Sequence, residues 1–131
     1  MKQLKPQYKC SLELAMDLVG GKWKLFLLWH LSSGTKRFSE LKRGMGDITQ
    51  KMLTLQLREL EHAGIVSRTV YPVVPPRVEY AMTARGRALV PALEELCVWS
   101  QNYAEAEGIV LGKPRCFVKG DGCGADRALG A

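Results

Sequence analysis

Apolar positions along the chain change period several times, and each change predicts an element. Ser11 to Val19 carries Leu12, Ala15, Met16 and Val19 at helical spacing, and Gly20–Gly21 ends that helix. Lys22 to Leu31 is apolar nearly all round (Trp23, Leu25, Phe26, Leu27, Leu28, Trp29, Leu31), which predicts a helix buried on most sides. "SSGTKR" reads as a turn. Phe38 to Met45 is a short helix with Phe38, Leu41 and Met45 on one face, and "GMGD" is a second turn. The clearest helix spans Thr49 to Ala63, with Thr49 as N-cap, Gly64 just past its end, and Leu53, Leu57 and Leu60 as its core stripe. The period then falls to two. "IVSRTVY" and "RVEYAM" predict paired strands, with Val78, Tyr80 and Met82 on one face. Thr83 opens a further helical stretch, in which Pro91 either makes a kink or sits in the first turn of a new helix. Beyond it, Ala92, Leu96, Trp99 and Tyr103 form one apolar stripe, and Leu93, Cys97 and Ala104 a second. From Gly108 the pattern dissolves into "GKPRCFVKGDGCGADRALGA", so a folded domain over 1–107 and a flexible Gly- and Cys-containing tail over 108–131 are expected. The predicted fold class is mainly α with a small antiparallel β-hairpin (α+β).

Composition leaves that outline intact. The chain has 131 residues, enough for one domain with its own core, and its apolar fraction of 47% argues against wholesale disorder. The longest apolar candidate for a membrane span, Leu25 to Leu31, is interrupted by His30 and flanked by Lys22 and Lys24, so no membrane partner is expected. "MKQLKPQYKC" has no apolar signal-peptide core, and a cytoplasmic location with reduced cysteines is the expectation.

Charge changes the picture more. The net charge is +6, and Lys36 to Arg87 holds ten Lys/Arg against five Asp/Glu, so nearly all the excess lies in the middle of the chain. Glu94, Glu95, Glu105 and Glu107 make the later helical part acidic. A basic middle points to a polyanionic partner.

Two helices joined by a tight glycine turn form a helix-turn-helix, whose second helix enters the DNA major groove. With Leu53, Leu57 and Leu60 turned to the core, Lys51, Thr54, Leu55, Arg58 and His62 face outward, and Gln50 lies at the margin. Gln can read adenine, Lys or Arg can read guanine or hold phosphate, and Leu or a Thr methyl can touch thymine. Taken alone, the same helix is equally well an ordinary amphipathic helix with a solvated face. The strand pair that follows favours the winged variant. Pro72, Pro75 and Pro76 fall between the strands, at a wing tip where a missing N–H costs no ladder bond and stiffness lowers the entropy lost on docking. Arg77 follows at once and is expected to reach phosphate or the minor groove. The alternative is a plain edge loop whose prolines block sheet-to-sheet aggregation.

"LVGGKWKLFLLWHL", "RFSELKR", "ITQKMLTLQLRELEHAGIV", "RTVYPVVPPRVEYAMTARG" and "LCVW" occur in an order that resembles the HxlR-type winged helix-turn-helix transcriptional regulators, a MarR-related family. The resemblance covers about Cys10 to Gln101. It implies a homodimer that binds double-stranded DNA, paired through the N-terminal helix and the helix after Pro91, and two-fold symmetry then predicts a pseudo-palindromic operator. It places Thr49, Gln50, Lys51, Thr54, Leu55 and Arg58 on the DNA, with Arg77 in the wing; Lys36 and Arg37, just ahead of the third helix, are added as basic contacts. The rival reading is a winged helix that serves as a protein–protein interaction module without DNA binding.

The remaining chemistry is sparse. Cys10 follows Lys9 and immediately precedes a helix, a setting that favours thiolate. Some members of the resembled family sense oxidants or electrophiles through a cysteine here, so a redox or small-molecule effector is one expectation for Cys10; a small side chain filling an interface gap is the other. Cys97 reads as core. Cys116 and Cys123 lack the tight pairs and nearby histidine of a zinc site, leaving a disulfide on oxidation or no role. His30 reads as a buried histidine with a hydrogen-bond partner. No catalytic set, phosphate-binding loop, metal site or cofactor is expected, so the chain does not read as an enzyme.

Overall fold

A leucine stripe organises the middle of the chain. Leu53, Leu57 and Leu60 lie on one side of a helix, and in the computed structural model, which describes residues 3–112, all three are shut from solvent. The elements run α1 (Ser11–Val19), α2 (Lys24–Ser32), β1 (Lys36–Arg37), α3 (Phe38–Met45), α4 (Gln50–His62), β2 (Val66–Tyr71), β3 (Arg77–Met82), α5 (Ala84–Arg87) and α6 (Val90–Glu107). This is a winged helix-turn-helix, mainly α with a small antiparallel sheet. Leu27, Leu28 and Leu31 of α2, Leu41 and Met45 of α3, and Tyr80 and Met82 of β3 close around the leucine stripe of α4.

Local chemistry sets the bounds of α4. The Thr49 hydroxyl accepts from the Met52 N–H at 3.0 Å, satisfying one of the orphan donors of the first turn. At the other end Gly64 adopts φ 75°, the left-handed conformation that costs glycine nothing, and its N–H reaches the Glu61 carbonyl at 3.0 Å.

The sheet holds one strand more than the alternating pattern predicts. Lys36–Arg37, read above as a turn, is a short strand, and the order is β1-β3-β2. Two residues are too few to carry a period, and their partner lies more than forty residues away in sequence, opposite Tyr80 and Glu79. β2 and β3 pair from Val66↔Met82 to Tyr71↔Arg77, so residues 72–76, including all three prolines, lie outside the ladder.

Three further expectations are resolved. Pro91 stands in the first turn of a separate helix, where its missing N–H is harmless. The helix expected from Lys22 begins at Lys24 and is less enclosed than its composition implied, because Phe26 remains 56% exposed. The Leu93 and Ala104 side of α6 is buried, whereas Leu96, Trp99 and Tyr103 stand out in solvent. Cys116 and Cys123, and the tail expected around them, lie outside the described residues.

Candidate nucleic-acid interface

The outward side of α4 is where the helix-turn-helix can meet a ligand. Gln50, Lys51, Leu55, Arg58 and His62 are exposed, and Thr54 is half-buried. The Thr54 hydroxyl donates to the Gln50 carbonyl at 2.8 Å, so its methyl group is the part left to face outward. At about 100° per residue, Lys51, Leu55 and His62 form the outermost strip of the helix. Gln50, Thr54 and Glu61 form its flank, and Arg58 lies between the two.

That flank faces the sheet across a cleft of about 390 Å³ lined by Phe38, Gln50, Thr54, Arg58, Glu61, Arg68, Val78 and Tyr80. Residues directly opposite in an antiparallel ladder share a face. Lys36, Tyr80 and Arg68 therefore form one row across all three strands, on the face turned towards α4. Arg68 is a member of this surface that the alternating pattern alone does not single out. An arginine between Ser67 and Thr69 looks like any exposed strand residue until the register opposite Tyr80 is known.

Arg77 is placed differently from its expected position at the tip. It is the first residue of β3, opposite Tyr71, and alternation puts it on the other sheet face from Val78 and Tyr80. Its guanidinium lies 4.5 Å from the centre of the Tyr71 ring and its Nε 3.2 Å from Glu79. The wing arginine is thus oriented by two neighbours. A second cleft, of about 480 Å³, is lined by Arg37, Phe38, Ser39 and the wing loop from Val73 to Val78. Arg37 caps α3, its N–H donating to Glu40 at 2.8 Å, and is exposed; Lys36 is half-buried.

Two devices fix α4 relative to the rest of the fold. Lys24 of α2 meets Glu59 of α4 at 2.8 Å, with only 6% and 13% of their side chains exposed. Removing one partner would break a largely buried ion pair, which is costly. At the far end of the helix, the Thr83 hydroxyl donates to the Gly64 carbonyl at 2.7 Å and accepts from the Gly86 N–H at 3.1 Å. Arg85 donates to the Ala63 carbonyl at 3.3 Å. Gly86 makes this join possible, since a Cβ there would sit 2.3 Å from the Ile65 carbonyl oxygen.

His30 is buried on α2, as expected, and its imidazole hydrogen-bonds the Gly44 backbone. Burial pushes its pKa below the usual imidazole range; the Gly44 bond opposes this, and nearby Lys36 adds to it. Cys97 is half-buried against the core. Cys10 is exposed and stands at the N-cap of α1. Among the described residues, no cluster of His, Cys, Asp or Glu could hold a metal ion, and no helix is long and apolar enough to cross a membrane.

Comparisons with known proteins agree with this architecture. The model of the HxlR-like helix-turn-helix family matches residues 18–108. An uncharacterized HTH-type transcriptional regulator of Methanothermobacter thermautotrophicus is 50% identical over 97 residues, which is 74% of each chain. The uncharacterized HTH-type transcriptional regulator YtcD of Bacillus subtilis is 52% identical over 99 residues, 76% of this chain and 79% of its own. Among solved structures, the redox regulator HypR in its reduced form is 46% identical, covers 77% of this chain and 100% of its own, and superposes with a TM-score of 0.72. The chain belongs to the HxlR-like helix-turn-helix family of transcriptional regulators.

Proposed function

We propose that this regulator binds a specific DNA sequence as a homodimer, with α4 in the major groove and the β2–β3 wing beside it. One observation carries the reading: the outermost strip of α4 is exposed over Lys51, Leu55 and His62, beside Arg58, while its opposite side is closed by leucines. Such a strip presents a cation for guanine or phosphate and an apolar group for a thymine methyl. Thr49, Gln50 and Thr54 lie at the leading end and flank of the same helix. Lys36 adds positive charge on the sheet face turned towards α4, and Arg37 and Arg77 stand on the opposite face, where Glu79 offsets Arg77.

The homodimer rests on surplus apolar surface. Leu12 and Met16 of α1 are 69% and 57% exposed, and α6 presents Leu96, Trp99 and Tyr103. Trp99 and Tyr103 stack with their ring centres 5.8 Å apart. Faces of this kind are stable when covered, and the proposal covers them with a second copy through α1 and α6. Two-fold symmetry then requires two half-sites about one helical turn, or a multiple of it, apart. Selection of bound fragments from genomic DNA, with light scattering on the free protein, tests both parts. Enrichment of pseudo-palindromes and a dimeric mass are the expected results. A monomer at micromolar concentration together with unselective binding overturns the reading.

A redox response through Cys10 is favoured by its exposure at the start of α1 and by the similarity to HypR. A peroxide would oxidise the thiol to sulfenic acid, the thiol losing two electrons and the O–O bond breaking to release water or an alcohol. Operator affinity of the wild type is expected to change on peroxide treatment and that of Cys10→Ser to stay constant. An equal response in both removes Cys10 from the account.

A further inference from the structure

We infer that the cleft between α4 and the wing seats one phosphodiester of the DNA backbone, held jointly by Arg58 and Arg68; this rests on the proposed DNA binding. Arg58 lines the cleft from the outer margin of the α4 flank, and Arg68 lines it from the strand row that it shares with Tyr80 and Lys36. Both side chains belong to exposed residues, and among the described residues neither forms an ion pair. Two guanidiniums without an ion-pair partner line one concavity and have their donors open to an anion. A phosphate oxygen pair fits the planar fork of a guanidinium.

Geometry then selects the source of the phosphate. A helix with its side chains is about 10–12 Å across and the major groove about 12 Å wide, so a docked helix fills the groove. Whatever packs against the flank of that helix must meet the phosphates bordering the groove. In this protein the flank carries Gln50, Thr54 and Glu61 with Arg58 at its outer margin, and the surface packed beside it carries Arg68. The seat therefore straddles the sugar-phosphate backbone, leaving base readout to the outermost strip, Lys51 and Leu55. Glu61 lines the same cleft and sets a like charge against the anion.

The test uses the full-length protein and a fluorescent random-sequence duplex of about thirty base pairs, long enough for the whole protein, followed by anisotropy across a salt titration. Arg58→Ala and Arg68→Ala are each expected to weaken binding several-fold. The slope of log affinity against log salt should fall by about one per protomer in either variant, because one counterion-releasing contact is lost. A shared seat makes the double variant little worse than either single one, whereas Glu61→Gln tightens binding. Thermal melts should match the wild type, since the substituted side chains are exposed. Normal affinity and slope in Arg68→Ala overturn the inference. So do multiplicative losses in the double variant, which assign the arginines to separate phosphates, and saturable binding of inorganic phosphate to the DNA-free protein that Arg68→Ala abolishes, which assigns the cleft to a free anion. If the wild type binds no duplex at all, the failure lies instead with the proposed DNA binding.

Discussion

The helix α4 and the flanking pair α1 and α6 treat their surfaces in opposite ways. α4 is complete within one chain: its Leu53, Leu57 and Leu60 are enclosed, its Glu59 is paired to Lys24, its first turn is capped by Thr49, and its outward side is polar apart from Leu55. α1 contains no buried residue, and α6 leaves one of its two apolar stripes in solvent. A polar surface can wait in water for a polyanion. An apolar surface of this extent remains costly until it is covered. Under the proposed function the two regions would answer to different partners, DNA for the first and a second copy of the chain for the second, and each could be disturbed without the other.

The largest effect separates the inside of α4 from everything else. Lys24→Met leaves the Glu59 carboxylate buried without its cation and is expected to cost about 3–5 kcal/mol of stability, measured by urea unfolding. Lys24→Met with Glu59→Leu should recover most of that loss, because an apolar pair needs no charge compensation. A Lys24→Met protein as stable as the wild type would mean that the pair does not hold the helix.

The flanking pair comes next. Leu96→Glu with Trp99→Glu should shift the protein to a monomer by light scattering while the far-ultraviolet circular dichroism stays native. Operator affinity should then fall at least about tenfold, since the two half-sites no longer act as one linked site. A dimer that survives both substitutions moves the interface elsewhere.

Smaller effects belong to the exposed strip. Lys51→Ala is expected to cost about 1–3 kcal/mol on the operator and much less on random DNA if it reads a base. Equal losses on both would reassign it to the backbone. The smallest effect is that of pH. The folded pKa of His30 lies below its unfolded value, so the unfolded chain binds the extra proton first. Stability supplied by neutral His30 is present above about pH 6.5 and is lost as pH falls through its depressed folded pKa. Melting temperature should drop on acidification in that window, and His30→Gln should flatten the dependence.

Much of this was legible in the chain, for reasons that differ by element. The bounds of α4 follow from Thr49, Gly64 and three leucines, all local signals that the tertiary structure had no cause to override. The unpaired stripe of α6 was readable because one small core cannot use two apolar faces. What stayed hidden depends on partners distant in sequence. β1 exists only because β3 lies beside it, and Arg68 joins the cleft only through its register with Tyr80. Lys24 looked like a flanking charge, because nothing local announces that Glu59 will fold over it. The position of Arg77 on the sheet face away from α4 was available in part, since Arg77 and Glu79 are two residues apart on a strand.

The buried Lys24–Glu59 pair has a practical consequence for anyone measuring this protein. Dissolved ions weaken attraction between charges that stand in water, over a Debye length of about 10 Å at 0.1 M, but act far less on a pair from which water is excluded. The attachment of α4 to the body of the domain is therefore shielded from the buffer, while the charges it offers outward are not. Raising ionic strength should loosen the proposed grip on DNA without loosening the attachment of α4 to the domain. A salt titration on this regulator consequently reports the charges at the interface and not the integrity of the fold behind them.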